Sequence, residues 1–241
     1  MLGGRRDELT AAMARVSDRI ATACAAAGRD PAGVRLLVVT KTFPAADVVL
    51  LADLGVRDVA EARDQEAVVK VAQVAALCPT VRWHMVGRVQ RNKARSVARW
   101  AMQVQSVDSV RLVVALDRAA RAAQDARERD CAVGVLVQAS LDGDPVRGGC
   151  PLPELEALAE RVAAAPGLRL EGVMGVAPLG VAPETAFAEL ATAAQRLRRV
   201  YPEAVELSAG MSGDLEEAIA QGSTCVRVGT ALLGDRPLAS R

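Results

Sequence analysis

Short β-branched runs alternate with helical patterns along almost the whole chain, and that alternation most limits how it can fold. The β-rich runs lie near 34–40, 56–60, 81–86, 102–106, 133–140, 170–174, 205–208 and 225–228. Helical periodicity fills the intervals near 45–54, 62–77, 91–99, 109–129, 153–165, 183–199 and 213–221. Strands separated by helices cannot pair as tight hairpins; they require parallel pairing with crossover helices. Eight such strands in 241 residues, 51% of them hydrophobic, favour an α/β single-domain (β/α)8 TIM barrel over 1–241. An open doubly wound sheet is the alternative, but no GxGxxG fingerprint follows the first strand. An extra N-terminal helix precedes the barrel. Leu9, Met13, Val16, Ile20 and Cys24 recur at helical spacing, charged residues fill the gaps, and Gly28 and Pro31 end the pattern.

Charge and residue usage exclude several function classes. Lys plus Arg number 30 and Asp plus Glu 29, so the net charge of +1 gives no reason to expect a nucleic-acid partner. Aromatics at 2% are too few for a base-stacking surface. Five cysteines without a CxxC pair, and a single histidine, His84, argue against a zinc cluster. The thiols are expected to be buried residues of a reducing cytosol. The N-terminus has no apolar signal core, and no uncharged stretch reaches transmembrane length. The expected setting is the cytoplasm, and the expected state a monomer without a membrane partner.

The strand ends carry the chemistry. In α/β folds the carboxyl ends of the strands converge on one mouth, where reactive residues gather. The first strand, Val34 to Thr40, stops at Lys41-Thr42-Phe43-Pro44, and Pro44 blocks its extension. An amine on such a strand end, partly desolvated, can form a Schiff base with an aldehyde; a solvated strand-end lysine is the plainer reading. The second strand offers Glu61 within Ala60-Glu61-Ala62, and the third offers His84, for which a satisfied core position is the commoner case. Ser208-Ala209-Gly210-Met211-Ser212-Gly213-Asp214 reads as a phosphate loop: small residues admit close approach, and Ser212 or Gly213 is expected near the cap of the next helix. Gly229-Thr230 supplies a partner after the eighth strand, the usual place for phosphate in barrels. A plain serine cap would give the same spacing. Arg227, between Val226 and Val228, is expected to point into the mouth, because an arginine is costly to bury without a partner. Asp108 is read as the cap of a long helix, and Gln90-Arg91-Asn92-Lys93 as a polar loop.

Taken in order, several segments resemble the pyridoxal phosphate homeostasis protein family, small cofactor-binding proteins with the alanine racemase N-terminal barrel. They are Val38 to Thr42, Trp83 to Lys93, Gln105 to Ser109, Gly172 to Gly175, Leu207 to Asp214 and Arg227 to Thr230. The resemblance implies pyridoxal 5'-phosphate as cofactor, held by Lys41, His84, Ser208, Met211, Ser212, Arg227, Gly229 and Thr230. Lys41 would form the Schiff base, Ser208, Ser212, Gly229 and Thr230 would hold the phosphate, and Arg227 would face the pyridine nitrogen. The chain departs from the family pattern at Ala60-Glu61-Ala62, where Gly-Glu-Asn is usual, and at Ala209, where methionine is usual.

The implied activity is storage of the aldehyde and its passage to apo-enzymes, without dedicated catalysis and without a metal. Two alternatives stay open, a pyridoxal phosphate-dependent amino-acid racemase and a Schiff-base aldolase acting on a phosphorylated sugar. A two-base racemase needs a second acid/base facing the lysine across the cofactor. In the racemases this barrel resembles, that base comes from a further C-terminal domain, which this chain is expected to lack. Its one tyrosine, Tyr201, precedes Pro202 at a helix end, a poor place for a mouth residue.

Overall fold

The computed structural model describes residues 2–144 and 146–235. Residues 1, 145 and 236–241 of the expected 1–241 domain lie outside the described residues. The strands are β1 (Arg35–Val39), β2 (Asp58–Glu61), β3 (Arg82–Met85), β4 (Gln103–Val107), β5 (Val133–Ser140), β6 (Cys150–Pro151), β7 (Leu168–Met174), β8 (Glu206–Ser208) and β9 (Cys225–Val228). The helices are α1 (Leu2–Ala26), α2 (Ala45–Asp53), α3 (Asp64–Ala75), α4 (Ala94–Trp100), α5 (Val110–Asp125), α6 (Leu155–Ala163), α7 (Pro183–Val200), α8 (Leu215–Ala220) and α9 (Thr230–Leu233).

Every described strand pairing is parallel, in the order β4-β3-β2-β1-β9-β8-β7-β5, and a β4–β5 pairing closes the ring into an eight-stranded barrel. Two short elements were not legible in the periodicity: β6, a two-residue addition beside Ala139 and Ser140, and α9, one turn after β9. Each spans only about one period, so neither leaves a repeat to read.

Helices wrap the barrel, and their apolar faces form two outer clusters. One gathers Leu112, Leu116, Leu158, Leu190 and Leu197 from α5, α6 and α7. The other gathers Leu9, Val16, Leu51, Leu215, Ile219 and Leu232. Through the second cluster the extra helix α1 lies against α8 and α9. Arg19 of α1 bonds both oxygens of Glu216, at 2.7 and 2.8 Å, and the carbonyl of Ser212 at 3.0 Å. The N-terminal helix therefore braces the loop after β8.

Inside the barrel, Leu37 of β1, Ala60 of β2 and Cys225 of β9 form a small apolar cluster. Burial pushes the Cys225 thiol up to about 12, consistent with an inert core group. Of the other cysteines, Cys24 and Cys150 are buried, whereas Cys78 is half-buried and Cys131 exposed, so the expectation of five buried thiols fails at two positions.

Gly172 sits where β7 and β8 leave no room for a side chain. Its φ is +152°, and a Cβ there would lie 1.8 Å from the carbonyl oxygen of Glu206. The neighbouring β5–β7 register slips at Val135/Leu136 to accommodate the irregularity. Backbone cannot yield as a side chain would, so Gly172→Ala is expected to destabilise the fold by about 3 kcal/mol or more. A urea titration whose midpoint stays at the parental value would show that β8 moves aside freely.

Candidate functional site

Lys41 stands on a turn that is fixed from below. Thr40 donates its backbone N–H to Ala60 at 2.9 Å, and Phe43 donates to the carbonyl of Thr40 at 3.1 Å, closing a turn over Lys41 and Thr42. Thr42 has φ +70°, a left-handed conformation that costs a β-branched residue roughly 1–2 kcal/mol. The buried ring of Phe43 and a bond from the Thr42 N–H to Glu66, at 3.4 Å, hold it there. Lys41 itself is half-buried.

Beneath the turn lies a buried ion pair. Lys70, on the inner face of α3, donates to Glu61 at 2.6 Å and to the carbonyl of Thr40 at 2.8 Å. The Thr40 hydroxyl donates to the same Glu61 oxygen at 2.7 Å. Glu61 is 0% and Lys70 6% exposed, and the second carboxylate oxygen of Glu61 is buried with no hydrogen bond. Burial raises the Glu61 carboxyl above its ordinary value, against the bonds from Lys70 and Thr40, which lower it.

The loops after β8 and β9 meet beside this turn. The parallel register pairs Val38 with Val228, so Lys41 and Gly229-Thr230 leave neighbouring strands at the same end of the barrel. Gly229 packs against β1: a Cβ there would lie 3.3 Å from the carbonyl of Val39. After β8, Gly210 turns the chain with φ +89°, and its carbonyl accepts the Arg227 N–H at 2.9 Å. The expected serine or glycine cap of the following helix is corrected. Asp214 occupies the cap position of α8, and its carboxylate turns back to the Met211 N–H at 2.6 Å. The Ser212 hydroxyl instead accepts from the Ala231 N–H, at 3.2 Å, in the first turn of α9. One side chain thus stitches the β8 loop to the β9 loop. Its own hydrogen stays available to a further acceptor, because a hydroxyl both accepts and donates. Met211 and Thr230 are exposed, and Gly213 opens onto free space.

Arg227 points into the barrel rather than to an outer rim. It is 5% exposed, and one terminal nitrogen donates to the Ser208 hydroxyl at 2.7 Å, the other to the carbonyl of Gly175 at 2.8 Å. Neither partner is a carboxylate. Burial lowers the pKa of the guanidinium from its ordinary value.

Two residues expected around a ligand are placed elsewhere. Ser208 is 0% exposed and gives its single hydrogen to Gln105 at 2.8 Å. With Arg227 on its other side it has no hydrogen left for a phosphate, so it lies beneath the mouth as a support. His84 is a satisfied core histidine. Its ring nitrogens face Asp58 at 2.7 Å and Gln103 at 2.9 Å, among residues that begin β2 and β4. That places it at the amino end of the barrel, in a cavity of about 450 Å³ that Arg35, Asp58, Arg82 and Glu206 also line. Asp108 is corrected as well: Ser109 holds the cap position of α5, and Asp108 instead lies beside Gly148.

In the amino-end cluster, burial works to raise the pKa of Asp58, but bonds from His84 and Arg82 and the charges of His84 and Arg35 outweigh it. The carboxyl is held well below the usual range. A depressed carboxylate contributes stability that is complete above its unfolded value, near 4, and is lost as pH falls toward the folded value. The stability difference between the parent and Asp58→Asn should therefore shrink between about pH 5 and pH 3. A constant difference across that range in urea titrations would count against the pairing.

Sequence reasoning missed Lys70, Gln103 and Gln105. A signal existed for each: Lys70 falls at an inward position between Ala67 and Val74 of α3, and the two glutamines alternate at period two along β4.

The mouth thus assembles an amine, small loops and hydroxyls suited to an anion, and a buried guanidinium. Residues 13–237 match the family described as alanine racemase, N-terminal domain. The chain is 49% identical over 247 residues to the pyridoxal phosphate homeostasis protein of Mycobacterium bovis, an alignment that covers 98% of this chain and 96% of that protein. Among solved structures, an unknown protein from Bifidobacterium adolescentis matches with a TM-score of 0.87 at 33% identity, over 95% of this chain and 96% of that one. PipY of Synechococcus elongatus, solved with pyridoxal phosphate bound, matches with a TM-score of 0.77 at 32% identity, over 91% of this chain and 100% of that one.

Proposed function

The chain belongs to the alanine racemase N-terminal domain family, and from that membership we propose that it binds pyridoxal 5'-phosphate for intracellular pyridoxal phosphate homeostasis, holding it as a Schiff base on Lys41. The observation that carries this reading is the Lys41 turn, fixed on the Glu61–Lys70 pair and set beside the stitched loops after β8 and β9. Relatives that align over nearly the whole chain bear that name, and PipY was solved with the cofactor bound.

The residues fit the group. Lys41 supplies the amine for the aldehyde. The Ser212 hydroxyl, with Gly229 and Thr230 across the stitch, offers donors to the phosphate. Arg227, whose partners are the Ser208 hydroxyl and the Gly175 carbonyl and not a carboxylate, would face the ring nitrogen. When bound, the cofactor supplies a reactive aldehyde and a ring that withdraws electrons; a guanidinium at the ring nitrogen leaves that nitrogen unprotonated and weakens the withdrawal. Tyr201 lies at the end of α7, before β8 begins, and therefore opposite the mouth. Both features support storage without dedicated catalysis over racemisation. We place this storage in the cytoplasm, in a monomer that passes cofactor to apo-enzymes. Among the described residues, no helix is long and apolar enough to cross a membrane.

The test is the visible absorbance of the purified protein, followed by borohydride reduction and peptide mass mapping. A pyridoxyl mass on Lys41 supports the reading, and no chromophore after addition of pyridoxal phosphate overturns it. Turnover assays with amino acids then separate a binder from a racemase. Ser212→Ala should weaken cofactor binding by about 1–3 kcal/mol, the cost of one lost contact to a charged group. Unaltered affinity by spectral titration would reduce Ser212 to its stitch with Ala231.

A further inference from the structure

Gln105 sits on β4, across the barrel from Arg227, and is 0% exposed. It belongs to a chain of hydrogen bonds that runs down the barrel interior. Arg227 donates to the Ser208 hydroxyl at 2.7 Å, Ser208 donates to the Gln105 carbonyl oxygen at 2.8 Å, and the Gln105 amide donates to the Gln103 carbonyl oxygen at 2.8 Å. The Gln103 amide ends the chain by donating to Glu171 at 2.6 Å and Glu206 at 2.8 Å.

Chemistry fixes the direction of every link. Arginine can only donate, and ionised carboxylates can only accept. With a donor at one end and acceptors at the other, neither amide can flip without setting oxygen against oxygen. The Ser208 hydroxyl, which would otherwise rotate freely, has one remaining orientation. Gly134 on β5 leaves the room this needs, since a Cβ there would lie 2.3 Å from the Glu171 carboxylate. Polar groups this deep are costly unless all are satisfied, and in this chain each is.

We propose that Gln105 is a positioning residue for the cofactor site. It acts through Ser208 to set the direction in which the Arg227 guanidinium would meet the cofactor ring, and it is itself aimed by the acidic amino end of the barrel. The proposal rests on the reading of the mouth as a pyridoxal phosphate site.

The experiment is a double-mutant cycle of Gln105→Met and Ser208→Ala on the full chain loaded with pyridoxal phosphate. It reads the absorbance maximum, the cofactor affinity and the Lys41 adduct after borohydride. Gln105→Met keeps the side-chain volume and removes both amide bonds. It should retain the Lys41 adduct, shift the absorbance maximum and weaken binding about three- to tenfold, the weight of one lost hydrogen bond. In the Ser208→Ala background the same change should add almost nothing, because the route to Arg227 is already cut. A parental spectrum and affinity in Gln105→Met overturns the inference, as does an equal shift in both backgrounds, even where thermal stability drops. Should Gln105→Met not fold, Ser208→Ala alone must give the shift with the adduct intact, and a parental spectrum there overturns it. Absence of the adduct in the parent would overturn the cofactor reading itself, a distinct outcome.

Discussion

Lys41→Ala is expected to abolish covalent attachment of pyridoxal phosphate while leaving the barrel folded. Only three lysines occur in the chain, Lys41, Lys70 and Lys93. Lys70 is 6% exposed and committed to Glu61 and Thr40. Lys93 ends a short turn between β3 and α4, and β3 is separated from β1 by β2. Neither can take the place of an amine on the β1 turn, and arginine does not substitute, because its guanidinium stays protonated. The fold should survive, since Thr40, Phe43 and the ion pair below hold the turn. After borohydride, the parent should carry one pyridoxyl mass on the Lys41 peptide and the variant none. Circular dichroism and the urea midpoint should match the parent within about 0.5 kcal/mol, as for a half-buried surface side chain. Parental stoichiometry of adduct in the variant would sink the assignment.

The second large effect concerns Lys70→Met, expected to destabilise the fold by about 3–5 kcal/mol, the cost of leaving a buried charge without its partner. Glu61 would keep only the Thr40 hydroxyl, and the Thr40 carbonyl would lose its donor as well. The cost should depend on pH. The Glu61 carboxyl is already raised by burial, and loss of Lys70 removes a group that lowers it. A carboxyl raised in the folded state favours folding below its unfolded value, near 4, and that advantage is lost as pH rises through the folded value. The variant should therefore recover part of its deficit as pH falls from about 7 to 5. Urea titrations at both values measure it, and Glu61→Leu combined with Lys70→Met should restore much of the loss, since an apolar pair of similar volume replaces a buried ion pair at little cost. A single Lys70→Met variant with parental stability at pH 7 would show that water reaches Glu61.

The barrel was legible because its strands are β-branched runs of near-regular spacing, and spacing survives without any knowledge of contacts. The place of Lys41 just past the end of β1 was legible for a related reason: a proline three residues on marks where the strand must stop. The support beneath the mouth was not. Ser208 looks like a phosphate ligand in the sequence because a serine after a strand is ambiguous between offering its hydrogen outward and spending it inward. Only the position of Gln105, contributed by β4, decides between them. For His84 the commoner reading, a satisfied core position, is what the structure shows; its height along the barrel axis was not legible, since a one-strand pattern gives only the face of a residue. Ser212 was assigned to the nearer helix, α8, when its partner is α9, because the bond to Ala231 spans two loops.

The pairing of Lys70 with Glu61 has a further consequence if, as proposed, the protein stores a reactive aldehyde. Such a molecule modifies its own amines unless they are hidden or few. Here one of three lysine side chains is sealed inside the fold with its lone pair tied up as a charge, and the cationic surface is built almost wholly from arginine, which an aldehyde does not readily capture. The same contact that steadies the Lys41 turn thus withdraws a second amine from any bound aldehyde, and on the proposed reading chemical selectivity would come from the inventory of amines as much as from the shape of the mouth.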